Sequence, residues 1–114
     1  MAINGRIKGK HWELKAAKIL GEALGTEPKR SSYYGKYYDD NGIDLMPEET
    51  DPFLVQCKAV ETGKYLHDVL DDMMTLEGKY NIVVHKLNRR APIVAIKLED
   101  FCEIIEMLKK NKVL

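Results

Sequence analysis

The sequence predicts an α/β domain in which helices flank a central mixed β-sheet. Apolar residues recur at helical spacing near both ends of the chain and once in its middle, and the runs between them are short and rich in β-branched and aromatic residues. The length of 114 residues fits a single domain, residues 1–114. The predicted element order, α-β-β-β-α-β-β-α, is typical of an α/β sandwich.

The first predicted element is an amphipathic helix over residues 6–24. Trp12 and Ala16 recur at helical spacing within it, while lysines fall largely on its other faces. Gly25 follows directly and is placed to end this helix.

Three strands are expected next. A short strand with a turn is predicted within residues 29–38, and a brief strand at residues 43–46 follows the turn-forming sequence DDNG. Residues 53–60 alternate in hydrophobicity and predict a third strand. Because only the acidic turn 47–52 separates the last two strands, they are expected to form an antiparallel hairpin.

The second half returns to helical spacing. Residues 65–77 predict a helix, and residues 80–85 and 92–97 predict strands joined by a basic turn. Residues 99–110 predict a last helix, with acidic residues at its start and lysines at its end, as the helix dipole favours.

Charge is balanced over the whole chain but not along it. Residues 1–36 hold eight Lys/Arg against three Asp/Glu, residues 37–77 hold two against eleven, and residues 78–114 hold eight against four. An acidic middle between basic flanks predicts a metal site within a phosphate-binding surface, although mixed charge also simply keeps a small protein soluble.

Other classes of protein are disfavoured by what the sequence lacks. No apolar run is long enough to span a bilayer, and no apolar segment follows the basic N-terminus as in a secretory signal. Cys57 and Cys102 form no metal-binding pair. We therefore expect two reduced thiols in a protein of the cytoplasm.

Three residues in the middle of the chain have the chemistry of a metal-dependent hydrolase. Gln56 and Lys58 lie two residues apart on one predicted strand, so their side chains share a face and Cys57 points to the other. Asp44 ends the preceding predicted strand, and a hairpin would place it beside Gln56. These oxygen ligands suit Mg²⁺, for which Mn²⁺ can substitute, and Mg²⁺ activates water for attack on a phosphodiester. The alternative is a solvated hairpin without chemistry.

The segment NGIDL…FLVQCKAV resembles the Mrr-type catalytic core of the PD-(D/E)xK nuclease superfamily. The layout of the whole chain, with a leading basic helix and a terminal helix after a β-hairpin, resembles archaeal and phage Holliday junction resolvases. The resemblance implies a restriction-endonuclease-like core and cleavage of DNA.

The resemblance also implies roles for individual residues. Asp44 matches the metal-ligating aspartate, and Lys58 matches the catalytic lysine. Gln56 stands where the superfamily more often has Glu or Asp, and Glu13 on the first helix would supply the missing charge. The metal ligands expected on this basis are Glu13, Asp44, Gln56 and the backbone carbonyl of Cys57. The alternative for Glu13 is an ordinary exposed helix glutamate.

A DNA-binding surface is expected at the basic start of the chain and on the first strand. In resolvases, the positions that match Arg30 and Ser32 (or Ser31) hold the scissile phosphate. The expected DNA-binding residues are Arg6, Lys8, Lys10, Lys29, Arg30, Ser31 and Ser32. For Arg30 the alternative is a generic surface arginine.

The sequence thus predicts a Mg²⁺-dependent endonuclease that resolves branched DNA as a homodimer in a bacterial, archaeal or phage-infected cell. The dimer is expected to form through the last helix or the tyrosine-rich segment. Two alternatives stay open. One is an Mrr-like or repair-type endonuclease that cuts duplex DNA, and the other is a non-catalytic nucleic-acid-binding protein with the same fold.

Overall fold

The centre of the molecule is a mixed β-sheet, as predicted, and it has three strands where five were expected in the chain. The computed structural model of the chain describes residues 5–59 and 65–114, with the backbone alone for residues 5–7. The strands are β1 (Phe53–Lys58), β2 (Tyr80–His85) and β3 (Ile93–Ile96). They lie in the order β1-β2-β3, with β1 parallel to β2 and β2 antiparallel to β3.

Six helices accompany this sheet in the described part of the chain. They are α1 (Gly5–Leu24), α2 (Ser31–Tyr34), α3 (Lys36–Asp40), α4 (Pro47–Thr50), α5 (Leu66–Asp72) and α6 (Leu98–Lys110). None of the described helices combines the length and the apolar character that crossing a membrane requires.

The two strands predicted ahead of β1 are not formed, and the predicted element order is wrong at this point. Residues 29–38 form α2 and α3, and their only pairing is one antiparallel bridge between Arg30 and Leu45. The Ser31 hydroxyl donates to the carbonyl of Ile43, so a side-chain bond takes the place of further strand pairing. The described elements therefore follow the order α-α-α-α-β-α-β-β-α.

The alternation along β1 and β2 builds a core on each face of the sheet. On one face α1 packs through Trp12, Ala16 and Ala17 against Leu45, Val55, Cys57, Ile82 and Val84. On the other face Leu54 and Val83 pack with Ile43, Leu70 and Met73. The indole N–H of Trp12 donates to the carbonyl of Val84 over 2.9 Å, which fixes α1 to the sheet.

The remaining helices and strands form where they were predicted, but some of them begin or end at other residues. The prediction of a helix over residues 65–77 is wrong at its end, because the amide of Met74 donates to the carbonyl of Asn41 instead of extending α5. Gly25 ends α1 with φ 74°, as expected. The predicted end of the third strand at Val60 lies outside the described residues.

The last helix is formed as predicted, and its apolar side is only partly covered. No residue of α6 is buried, and Leu98 and Phe101 are 76% and 47% exposed, while Ile104 and Ile105 are half-buried. Ile93 and Val94 on β3 are each 53% exposed. Several large apolar side chains between residues 93 and 114 are therefore exposed among charged ones.

Candidate active site

Asp44 is fixed against the free edge of β1. Its backbone N–H donates to the carbonyl of Val55 over 2.8 Å, and its carboxylate accepts the N–H of Cys57 over 2.7 Å. The predicted antiparallel hairpin is not formed. One backbone hydrogen bond and one side-chain hydrogen bond join Asp44 to the residues on either side of Gln56. The structure therefore places Asp44 beside Gln56 as expected, although by a different route.

Three carboxyl groups converge at this edge. Glu13 from α1, Asp39 from α3 and Asp44 each offer an oxygen, and these oxygens lie within 4.8 Å of one another. The sequence placed Glu13 and Asp44 together but assigned Asp39 to a turn. Asp39 lies five residues before Asp44, at the start of the sequence DDNG. Its side chain reaches Glu13 and Asp44 from the helix α3.

Two of these carboxyl groups bind protons more tightly than usual. Burial, and then the neighbouring charge of Asp44, raise the pKa of Glu13 from 4.5 to about 7, against the opposing effect of Arg30. Burial raises the pKa of Asp44 from 3.8 to about 6, although the Cys57 N–H bond, Lys58 and Arg30 favour its ionised form. Burial thus disfavours the ionised carboxylates, and a cation bound between them would favour their ionised forms.

Two basic residues border the carboxylates. Lys58 at the end of β1 and Arg30 before α2 both act on the charge of Asp44. The Nε atom of Arg30 is buried and finds no hydrogen-bond partner among the described residues, while its guanidinium stacks 5.4 Å from the ring centre of Tyr33. A donor left unpaired next to an acidic cluster is suited to an oxygen of an incoming anion.

Gln56 and Cys57 occupy opposite sides of β1, as predicted. Gln56 is 9% exposed, and its Oε1 atom lies 3.2 Å from where a Cβ on Gly42 would stand. Burial, followed by the charges of Asp44 and Glu13, raises the pKa of the Cys57 thiol, so the thiol stays protonated. The contact between Cys57 and Asp44 runs through the Cys57 amide. Metal binding by Gln56 and by the Cys57 carbonyl stays a prediction.

The predicted phosphate-binding residues are only partly on the surface. The prediction for Ser31 is wrong, because Ser31 is fully buried and its hydroxyl is committed to Ile43. Ser32 is exposed. The Nζ atom of Lys29 lies 3.6 Å from Oε1 of Glu49, so these two side chains form an ion pair. Lys10 is exposed and Lys8 is half-buried. The side chain of Arg6 lies outside the described part of the chain.

Comparison with known proteins gives no further guide. No family model matches the chain, and no significant match is found among curated proteins or solved structures. The interpretation of the site therefore depends on the geometry of its residues and on the resemblance of its motif.

The arrangement is chemically suited to a hard divalent cation and a phosphate. Carboxyl groups from two helices, α1 and α3, and from the loop at Asp44 offer oxygen ligands, and Mg²⁺ prefers such ligands with water completing its shell. Lys58 and Arg30 lie close enough to Asp44 to favour its ionised form, and they offer positive charge to a bound anion.

Proposed function

We propose that the protein is a Mg²⁺-dependent DNA endonuclease with a restriction-endonuclease-like core, acting on branched DNA in the cytoplasm. The observation that carries the proposal is the convergence of Glu13, Asp39 and Asp44 beside Lys58 and Arg30. Structural ion pairs satisfy one charge with another, whereas here three carboxyl groups face two cations. Such uncompensated clusters, with strongly perturbed pKa values, are typical of functional sites.

Each residue has a distinct role in this proposal. Glu13, Asp39 and Asp44 hold the metal, which when bound neutralises charge on the phosphate and activates a water. Lys58 stabilises negative charge that develops on the scissile phosphate. Arg30 donates its unpaired Nε–H to a non-bridging phosphate oxygen. Asp39 joins the ligands that the motif already implied, and it supplies a charge that the amide of Gln56 lacks.

The choice of a branched substrate is supported by the resemblance of the motif and of the chain layout. The resemblance to resolvases covers nearly all of the sequence given. Symmetric cleavage of a four-way junction needs two active sites, which a two-fold dimer provides.

Exposed apolar side chains near the end of the sequence given support the dimer. The large ones are Ile93, Val94, Leu98, Phe101, Met107, Val113 and Leu114. A concentration of exposed apolar side chains on β3, on α6 and after it is typical of a protein–protein interaction site.

The activity is tested by incubating the protein with labelled four-way junction, fork and linear duplex, with Mg²⁺ and with chelator. We expect metal-dependent cleavage that is fastest on the junction. Asp44→Asn and Asp39→Asn should each lower the single-turnover rate by about 100-fold or more, equivalent to roughly 2.7 kcal/mol. Asp40→Asn is the matched control, since Asp40 is exposed and pairs with Lys36.

Each outcome separates the alternatives. Equal cleavage of linear duplex and junction would favour an Mrr-like or repair-type enzyme. Binding of DNA without cleavage in any divalent metal would favour a non-catalytic binding protein. A normal rate in Asp39→Asn would remove Asp39 from the site.

A further inference from the structure

A second basic feature lies on α1, on the other side of Trp12 from the carboxylates. Lys8, His11 and Lys15 line one wall of a cleft of about 450 Å³, and Lys86 and Asn88 from the β2–β3 connection line the facing wall. Trp12 and Ala59 form its floor. The three α1 residues are spaced by one helical turn, so their side chains project into the cleft from one face of the helix.

The chemistry of this lining selects an anion with several oxygens. None of the lining residues in the described part of the chain has a carboxylate, and the walls present the ammonium groups of Lys15 and Lys86, an imidazole and an amide. The Lys86 ammonium lies within hydrogen-bond distance of the carbonyls of Leu87 and Arg90, at 3.4 and 3.3 Å, which leaves one of its three hydrogens for a ligand. The floor offers no competing donor, because the Trp12 N–H is committed to Val84.

The position of the cleft relates it to the acidic cluster. Trp12 of the floor and Glu13 of the cluster are neighbours on α1, so their side chains leave the helix about 100° apart. Ala59 of the floor directly follows Lys58. The cleft and the acidic cluster are therefore adjacent in the sequence both on α1 and at the end of β1.

We propose that this cleft binds backbone phosphates of the DNA strand that carries the scissile bond, next to the cleaved position. The inference rests on the proposed function and adds a second, metal-independent contact to it. Lys15, His11 and Lys86 donate to phosphate oxygens, and the apolar floor of Trp12 and Ala59 lies under the sugar.

The first experiment measures the salt dependence of DNA binding in chelator, where no cleavage occurs. Lys15→Gln removes one exposed cleft charge, and Lys18→Gln removes an exposed lysine of the same helix that does not line the cleft. Each phosphate contact contributes about 0.9 to the slope of log K against log salt for duplex DNA, and about 0.7 for a single strand. We expect Lys15→Gln to flatten the slope by about this amount and Lys18→Gln to leave it unchanged.

The second experiment locates the phosphate. Single methylphosphonates, which lack the phosphate charge, are placed at successive positions on either side of the cleaved bond. At one or two positions, a methylphosphonate should weaken DNA binding by the unmodified protein but should not weaken binding by Lys15→Gln further. The reason is that the methylphosphonate and the substitution remove the same contact. For Lys86→Gln, the methylphosphonate that causes no further loss of affinity should lie at the same or the adjacent position.

The outcomes distinguish this inference from the proposed function. Binding with the expected slopes but without cleavage in Mg²⁺ would support phosphate binding in the cleft, and it would overturn both the nuclease and the position of the cleft beside a cleaved bond. Cleavage with equal slopes for Lys15→Gln and Lys18→Gln, and with no position coupled to Lys15, would overturn the cleft alone. Absence of DNA binding by the unmodified protein would overturn both.

Discussion

Removing the charge of Asp44 should make the stability of the metal-free protein less sensitive to pH. Glu13 and Asp44 hold protons more tightly in the folded chain than in the unfolded chain. Between about pH 4 and pH 7 the folded state therefore binds more protons, and its stability falls as pH rises through this window. Below the window both groups are protonated in either state and the penalty is absent.

The size of the effect follows from the pKa of Asp44. A rise from 3.8 to about 6 corresponds to about 3 kcal/mol at 1.36 kcal/mol for each tenfold change in proton affinity. Roughly half of this, about 1.5 kcal/mol, is lost between pH 5 and pH 8. Glu13 acts in the same direction, with its charge screened by solvent because the side chain is only half-buried. For a domain of this size, 1.5 kcal/mol lowers the Tm by roughly 5–10 °C.

Thermal unfolding in chelator at pH 5 and pH 8 measures how much stability is lost between these two pH values. Asn at position 44 still offers an oxygen to the Cys57 N–H, so Asp44→Asn removes the charge while conserving the hydrogen bond. We expect the variant to lose less stability than the unmodified protein on going to pH 8, whereas Asp40→Asn behaves like the unmodified protein. Mg²⁺ should raise the Tm at pH 8 more than at pH 5, and less in Asp44→Asn. Parallel pH profiles for the unmodified protein and Asp44→Asn would refute the reasoning.

Three further predictions concern other parts of the molecule. Gln56→Glu should retain cleavage at lower Mg²⁺, because it adds charge to a hard-cation site; a loss below threefold in Gln56→Ala would show that Gln56 is not a ligand. Gly42→Ala should cost about 1–2 kcal/mol in chemical denaturation, since φ is 83° and the new Cβ meets Gln56; an unchanged midpoint would contradict this. Phe101→Asp should convert a dimer into a monomer in sedimentation at micromolar concentration, and an unchanged dimer would place the interface elsewhere.

Periodic elements were predictable from the sequence because their own side chains determine them. The apolar and β-branched residues of β1 and β2 and the helical spacing of apolar residues in α6 indicate these elements from their own side chains, and the structure has all three elements. The segment 29–46 was not predictable in the same way. Tyrosines favour strands locally, but the buried Ser31 hydroxyl and the tight contact of Gly35 with Met46 depend on tertiary packing.

The residues of the candidate site were likewise only partly predictable from the sequence. Gln56 and Lys58 could be related through the two-residue period of a strand, Asp44 through the expected hairpin, and Glu13 through the resemblance. Asp39 could not, because its place in the cluster depends on the α3 helix, which the sequence did not predict. The loss of Ser31 as a phosphate contact has the same origin, since α2 turns its hydroxyl inward.

The single tryptophan of the chain joins the parts of the molecule that the proposals use. Trp12 is 4% exposed, is bonded to Val84, and lies on α1 between Glu13 and the cleft wall. Local opening of α1 would therefore separate Glu13 from Asp44 and dismantle the cleft in one event, with the indole moving into water. The intrinsic fluorescence of this protein thus reports directly on the fraction of molecules that are assembled for both metal and strand binding.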